Sequence, residues 1–122
     1  MMELREKINK IFVYGTLEKT EFFIDLISAG EIRYVGSGKI RAKLYDLGEY
    51  PGAVEHKESY VYGRVYEAQN IDKVLPLFDK YEEFYPDNLE SSLFVRKVVR
   101  VTMENGESLK AFVTFTAKNV SF

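Results

Sequence analysis

The sequence predicts an α+β fold on a mixed, largely antiparallel sheet, and three observations lead there. A strand-like run ending in a glycine turn opens the chain, a helix-like segment follows at once, and an Asn-Gly pair near the end separates two stretches rich in β-branched residues. Neither a repeating strand-helix rhythm nor the G-x-G-x-x-G spacing of a dinucleotide-binding fold occurs. With 122 residues, 46% of them hydrophobic, the chain can bury a real core, so one domain spanning 1–122 is expected.

The first element runs through Ile8, Ile11, Phe12 and Val13, whose β-branched and aromatic side chains suit a strand interior, and ends in Tyr14-Gly15-Thr16-Leu17. Gly15 permits backbone angles and a close ligand approach that a side chain forbids, and successive amides of such a turn can aim at one acceptor oxygen. Taken alone, the motif fits an ordinary turn at least as well. Thr20 then caps a helix through about Ala29, with Phe22, Phe23, Leu26 and Ile27 on its apolar side and Gly30 as its stop. Residues 31–47 read as two extended segments hinged at Gly36-Ser37-Gly38, the second alternating Ile40, Ala42 and Leu44 with Lys39, Arg41 and Lys43. Residues 45–53 read as a tyrosine-rich loop, and Tyr60 to Glu67 as a strand in which Gly63 marks a bulge or close backbone approach. Asn70 or Asp72 starts a second helix to about Lys80, carrying Val74, Leu75, Leu77 and Phe78 inward, with Pro76 kinking it or sitting in its first turn. Phe94 to Met103 and Ser108 to Thr116 form a hairpin around Asn105-Gly106.

Composition narrows the function. The absence of cysteine excludes disulfides, thiolate nucleophiles and cysteine-ligated metals, and the lone His56, read as a loop residue, cannot make a multi-histidine site. Lysine and arginine are scattered singly in a chain of net charge −2, so no nucleic-acid partner is expected. No apolar run approaches the roughly 20 residues needed to span a bilayer, and residues 1–10 mix acids with bases and lack the apolar stretch of a secretory signal. A soluble, cytoplasmic protein with no membrane partner is expected.

Carboxylates are then the candidate acid and base groups, and the most suggestive lie in Phe78-Asp79-Lys80-Tyr81-Glu82-Glu83-Phe84-Tyr85. A carboxyl desolvated among these rings would rise from about 4.3 toward the range of about 6 to 7 that suits proton transfer. The same residues also suit a solvated helix end. Adjacent residues do not share a helix face, so at most one of Glu82 and Glu83 enters a given pocket. Asp79 suits a charge-balancing role as well as a chemical one.

Four ordered segments together resemble the γ-glutamylcyclotransferase-like family, including its γ-glutamylamine and plant avirulence-induced branches. They are Phe12-Val13-Tyr14-Gly15-Thr16-Leu17, Lys43-Leu44-Tyr45-Asp46-Leu47-Gly48-Glu49-Tyr50-Pro51, Val61-Tyr62-Gly63-Arg64-Val65-Tyr66 and Phe78-Asp79-Lys80-Tyr81-Glu82, covering nearly the whole chain. The resemblance implies a small mixed, largely antiparallel β-barrel with flanking helices, with a pocket between the Tyr14–Leu17 turn and the acidic segment. It also implies that Glu82 is the catalytic acid and base and that Tyr14, Gly15, Thr16 and Leu17 bind a small-molecule γ-glutamyl substrate. Such a substrate carries its own nucleophile, the α-amine, which closes on the side-chain carbonyl to give 5-oxoproline and a free amine, so no cofactor or metal is implied.

Three positions depart from the family pattern. Glu83 stands where glycine commonly follows the glutamate, Phe94-Val95-Arg96 replaces a Tyr-x-Arg element, and Thr114 replaces a tyrosine of the final strand. Arg96 remains a candidate for a substrate carboxylate or for a solvated strand position, and Tyr45, Tyr50 and Tyr62 for pocket walls or for sheet packing. A non-catalytic pocket for an amino-acid-like ligand is the alternative function.

Overall fold

In the computed structural model, which describes residues 7–15, 17–46, 51–82 and 94–116, the first strand, β1 (Lys10–Val13), divides its side chains between two cores. Phe12 points into one while Ile11 and Val13 enter the other, as the period of two along a strand requires. The four further strands are β2 (Ile32–Asp46), β3 (Pro51–Ala68), β4 (Phe94–Met103) and β5 (Ser108–Thr116). They close with β1 into a barrel of order β1-β3-β2-β4-β5, antiparallel throughout except where β1 meets β5. Phe12, Ile40, Val65, Val101, Val113 and Phe115 fill the barrel. Two helices, α1 (Glu21–Ser28) and α2 (Ile71–Glu82), cover its outer wall through Phe23, Leu26, Val74 and Phe78. Among the described residues no helix is long and apolar enough to cross a membrane.

Helix α1 begins and ends as its sequence predicts. The Thr20 side chain accepts from the Phe23 amide at 3.2 Å, and after Ala29 the chain turns left-handed at Gly30, φ 77°. There the Glu31 amide bonds to Leu26 O and the Gly30 amide to Ile27 O, so two otherwise orphaned carbonyls are satisfied. Ile27, expected inward, is 42% exposed. The buried residues of α1 are Phe23 and Leu26; at about 100° per residue Ile27 lies about 40° beyond Phe23 and about 100° from Leu26, so it falls at the edge of the buried stripe. In α2 the buried stripe is Ile71, Val74 and Phe78, while Leu77 is exposed for the same reason. Asn70 caps this helix, its side chain accepting from the Asp72 amide, and Pro76 sits exposed in the second turn rather than the first.

The centre of the chain departs most from expectation. The two segments expected on either side of Gly36-Ser37-Gly38 are one strand, and the two sides of the loop expected at 45–53 are paired, Tyr45 facing Gly52 and Asp46 facing Pro51, while its residues 47–50 lie outside the described residues. The register slips at two places, between Tyr34 and Gly36 and between Arg41 and Ala42. At the second, Arg41 pairs with Tyr60 and Ala42 with Glu55, leaving residues 56–59 outside the pairing; His56 lies there, its Nδ1 accepting from the Glu58 amide. Such slips sharpen local bend and twist, which lets a long hairpin wrap a small barrel. Gly38 pairs with Gly63 on this wall, and a Cβ at Gly63 would stand 2.2 Å from Val13 O. The close approach expected there is thus backbone against backbone.

The final hairpin has the predicted boundaries. Gly106 takes φ 94°, the Asn105 side chain accepts from the Glu107 amide, and Thr102 pairs with Ser108 across the turn.

Candidate active site

The turn that leaves β1 is pinned from within the barrel and from outside it. Tyr14 packs against the barrel core and donates from its hydroxyl to Thr114 O of β5 at 2.8 Å. Gly15 follows with φ 75°, a left-handed angle that L side chains resist, and its amide meets no acceptor among the described residues. A short 3-10 turn, Leu17–Lys19, leads into α1, with Leu17 O accepting from both the amide and the hydroxyl of Thr20. The second pin is Glu18. Its carboxylate receives Arg64 Nε at 2.7 and 2.8 Å, Arg64 Nη2 at 2.6 Å and the Tyr66 hydroxyl at 2.7 Å, and the side chain is only 12% exposed.

Sequence reasoning assigned no role to Glu18, Arg64 or Tyr66. The available signal was the spacing of Arg64 and Tyr66 two apart on one strand, which places them on the same face. Burial alone would raise the Glu18 carboxyl, but the bonds from Arg64 and Tyr66 and the Arg64 charge outweigh it, holding the group below its ordinary value. Tyr66 is pushed up to about 12, first by burial and then by its bond to Glu18 and that carboxylate's charge. A depressed carboxyl adds stability above its unfolded pKa, about 4.3, and that stability is lost as pH falls through the folded value. A raised phenol adds stability below its unfolded pKa, about 10, and loses it as pH climbs to about 12. Urea midpoints measured across pH should therefore fall on both sides, and Tyr66→Phe should flatten the alkaline fall.

The acidic segment reaches the same region through β4. Arg96 Nη2 contacts Asp79 Oδ1 at 2.6 Å, with the Arg96 side chain 22% exposed. Arg96 is the register partner of Thr114, whose carbonyl holds Tyr14. Asp79 is therefore the charge-balancing partner of Arg96, and a chain of contacts runs from α2 through β4 and β5 to the glycine turn. Glu82 closes α2 one turn beyond Asp79; its side chain lies outside the described residues, as do Thr16 and Tyr50. Tyr62 does not line the barrel: it is 71% exposed on the outer wall, with Lys39 Nζ 5.8 Å from its ring centre. A cavity of about 260 Å³ lined by Asn9, Arg33, Glu67 and Gln69 lies where β1 begins, away from this turn, and Glu67 there is occupied by Arg33 and Lys10.

This arrangement has relatives. A family model described as gamma-glutamyl cyclotransferase, AIG2-like matches residues 11–121. Among solved structures, a gamma-glutamyl cyclotransferase aligns with a TM-score of 0.64 at 13% identity, over 90% of this chain and 67% of that one. An Arabidopsis thaliana protein, At5g39720.1, aligns at 0.62 and 19% identity over 93% and 71%. An uncharacterized Pyrococcus horikoshii protein aligns at 0.55 and 23% identity over 91% and 80%. No curated protein sequence matches. At these identities the structural likeness is one of fold, a small mixed barrel with two helices. The match over residues 11–121 carries the further conclusion that this chain belongs to the gamma-glutamyl cyclotransferase, AIG2-like family.

Proposed function

We propose that the protein is a cofactor-independent γ-glutamylcyclotransferase that converts a γ-glutamyl amine or γ-glutamyl amino acid to 5-oxoproline. The observation that supports this most is the contact chain Asp79, Arg96, Thr114, Tyr14, which ties the end of α2 to the glycine turn at one end of the barrel. Glu82 acts there as general base and then general acid. The substrate α-nitrogen attacks the γ-carbonyl carbon, a carbon–nitrogen bond closes the five-membered lactam, and the bond to the leaving nitrogen breaks. The two protons lost by the α-ammonium end on the departing amine, so the step balances without an oxidant, a metal or an enzyme nucleophile.

The turn supplies orientation and charge stabilisation. Amides of Gly15, Thr16 and Leu17 bind the substrate carboxylate or the developing oxyanion, and Tyr14 walls the pocket. Arg96 serves the substrate carboxylate only if it leaves Asp79, so its first role in this reading is to hold the helix end; Tyr50 lines the pocket mouth. A second reading, a pocket that binds an amino-acid-like ligand without turnover, draws on that occupied Arg96. Incubation with γ-glutamyl amino acids and γ-glutamyl amines, with 5-oxoproline followed by mass spectrometry, separates the two. Turnover of one class supports the enzyme and names its leaving group, whereas saturable binding with no product supports the second reading.

A further inference from the structure

Glu18 is bound more completely than a surface ion pair needs to be. Its two oxygens take four close contacts from Arg64 and Tyr66, whereas in the Lys7–Asp72 and Lys97–Glu55 pairs both side chains are at least half exposed. Tyr66 cannot drift, being 7% exposed with its ring edge-on to Phe23 at 4.8 Å and to Tyr34 at 5.6 Å. The position of Arg64 gives the contact its meaning. In the β1–β3 register Arg64 lies opposite Val13, the last residue before the glycine turn, while its guanidinium holds Glu18, the residue just after Leu17. Both ends of the segment from Val13 to Glu18 are thus fastened to one residue of β3.

We infer that Glu18, Arg64 and Tyr66 form a positioning clamp that holds the Tyr14–Leu17 turn, from the outer wall of the barrel, in its substrate-binding conformation. The inference rests on the proposed function and adds positioning residues to it; none of the three touches substrate. Tyr14 pins the start of the turn from inside through Thr114 O, and the clamp pins its end from outside. A loop fastened at both ends has little conformational freedom left to lose when ligand binds, so its amides are pre-organised. Arginine suits the task because its planar fork engages both carboxylate oxygens, which a lysine cannot reproduce.

The test uses the full chain and the variants Glu18→Gln, Tyr66→Phe, Arg64→Met and Arg64→Lys. Amide hydrogen exchange at Thr20, whose amide closes the end of the turn by bonding to Leu17 O, should quicken about tenfold or more in Glu18→Gln, Tyr66→Phe and Arg64→Met, while exchange in the β4–β5 hairpin stays as in the wild type. In steady-state kinetics the same three variants should lower kcat/KM about tenfold with the pH profile of kcat unmoved, and Arg64→Lys should recover part of the loss. Exchange that is unchanged at Thr20, or faster throughout the barrel, would overturn the clamp, as would wild-type kcat/KM in all three variants. If the wild type makes no 5-oxoproline, the proposed reaction fails on its own, and the exchange comparison still decides the clamp.

Discussion

Replacing Glu82 with glutamine is expected to lower kcat for 5-oxoproline formation by about 10² to 10⁴, the usual contribution of one general acid and base. Glutamine keeps the shape and the hydrogen-bonding length of the side chain but cannot take the proton that the α-ammonium must lose. Stability should hardly change. The buried anchors of α2 are Ile71, Val74 and Phe78, all upstream of Glu82, and removing an acid from the last turn relieves its unfavourable interaction with the helix dipole. Urea midpoints equal to or slightly above the wild type are therefore expected beside the loss of turnover. Glu82→Asp should fall between the two, because a carboxylate withdrawn by one methylene keeps its chemistry and loses its placement, at a cost of up to about 10². A rise of kcat with pH as the base ionises is expected in the wild type, and it should persist in the aspartate variant and vanish in the glutamine one.

Gly63→Ala is the substitution expected to damage the fold most. An added Cβ would stand 2.2 Å from Val13 O and 2.7 Å from Phe12 Cζ. The carbonyl belongs to the β1–β3 pairing and the ring to the barrel core, so neither moves without loosening the wall. A cost at or above the upper end of the usual overpacking range, about 3 kcal/mol, is expected in urea unfolding. Gly106→Ala makes the contrast. Nothing lies within 4 Å of a Cβ there, but φ is 94°, so only backbone strain of about 1 kcal/mol is at stake. Equal effects at the two glycines would show that the steric reading of Gly63 is wrong. Because Val13 leads directly into the glycine turn, Gly63→Ala should also raise KM in whatever fraction remains folded.

The elements written in local sequence were legible, and the relations between distant segments were not. Thr20, Gly30 and the Asn105-Gly106 turn act within a few residues of themselves, so α1 and the final hairpin appear where the sequence places them. Barrel closure depends on β1 meeting both β3 and β5, far apart in the chain, and only the family resemblance pointed to it. Alternation misleads on β3, where Val65 and Tyr66 are both buried although they face opposite ways, one into the barrel and one beneath the helices. The strand read from Tyr60 begins instead at Pro51, because an excursion at 56–59 interrupts its pattern. In the site, Tyr14 and Gly15 were visible as a motif at the end of a strand. The Glu18–Arg64 contact spans 46 positions, and neither residue looks unusual in its own neighbourhood. Arg96 could be read as a surface or a substrate residue because its partner Asp79 lies on another element.

The most direct test of the proposed reaction is the identity of its product. Metal-depleted wild-type protein is incubated with a γ-glutamyl amine or γ-glutamyl amino acid that it turns over, and the released acid is identified by mass spectrometry against the amine set free. Attack by the substrate's own α-amine predicts 5-oxoproline and amine in equal amounts, with no glutamate, and loss of both in Glu82→Gln. Glutamate as the primary product would mean that water is the nucleophile, and undiminished product from Glu82→Gln would remove the proposed base; either result would contradict the account.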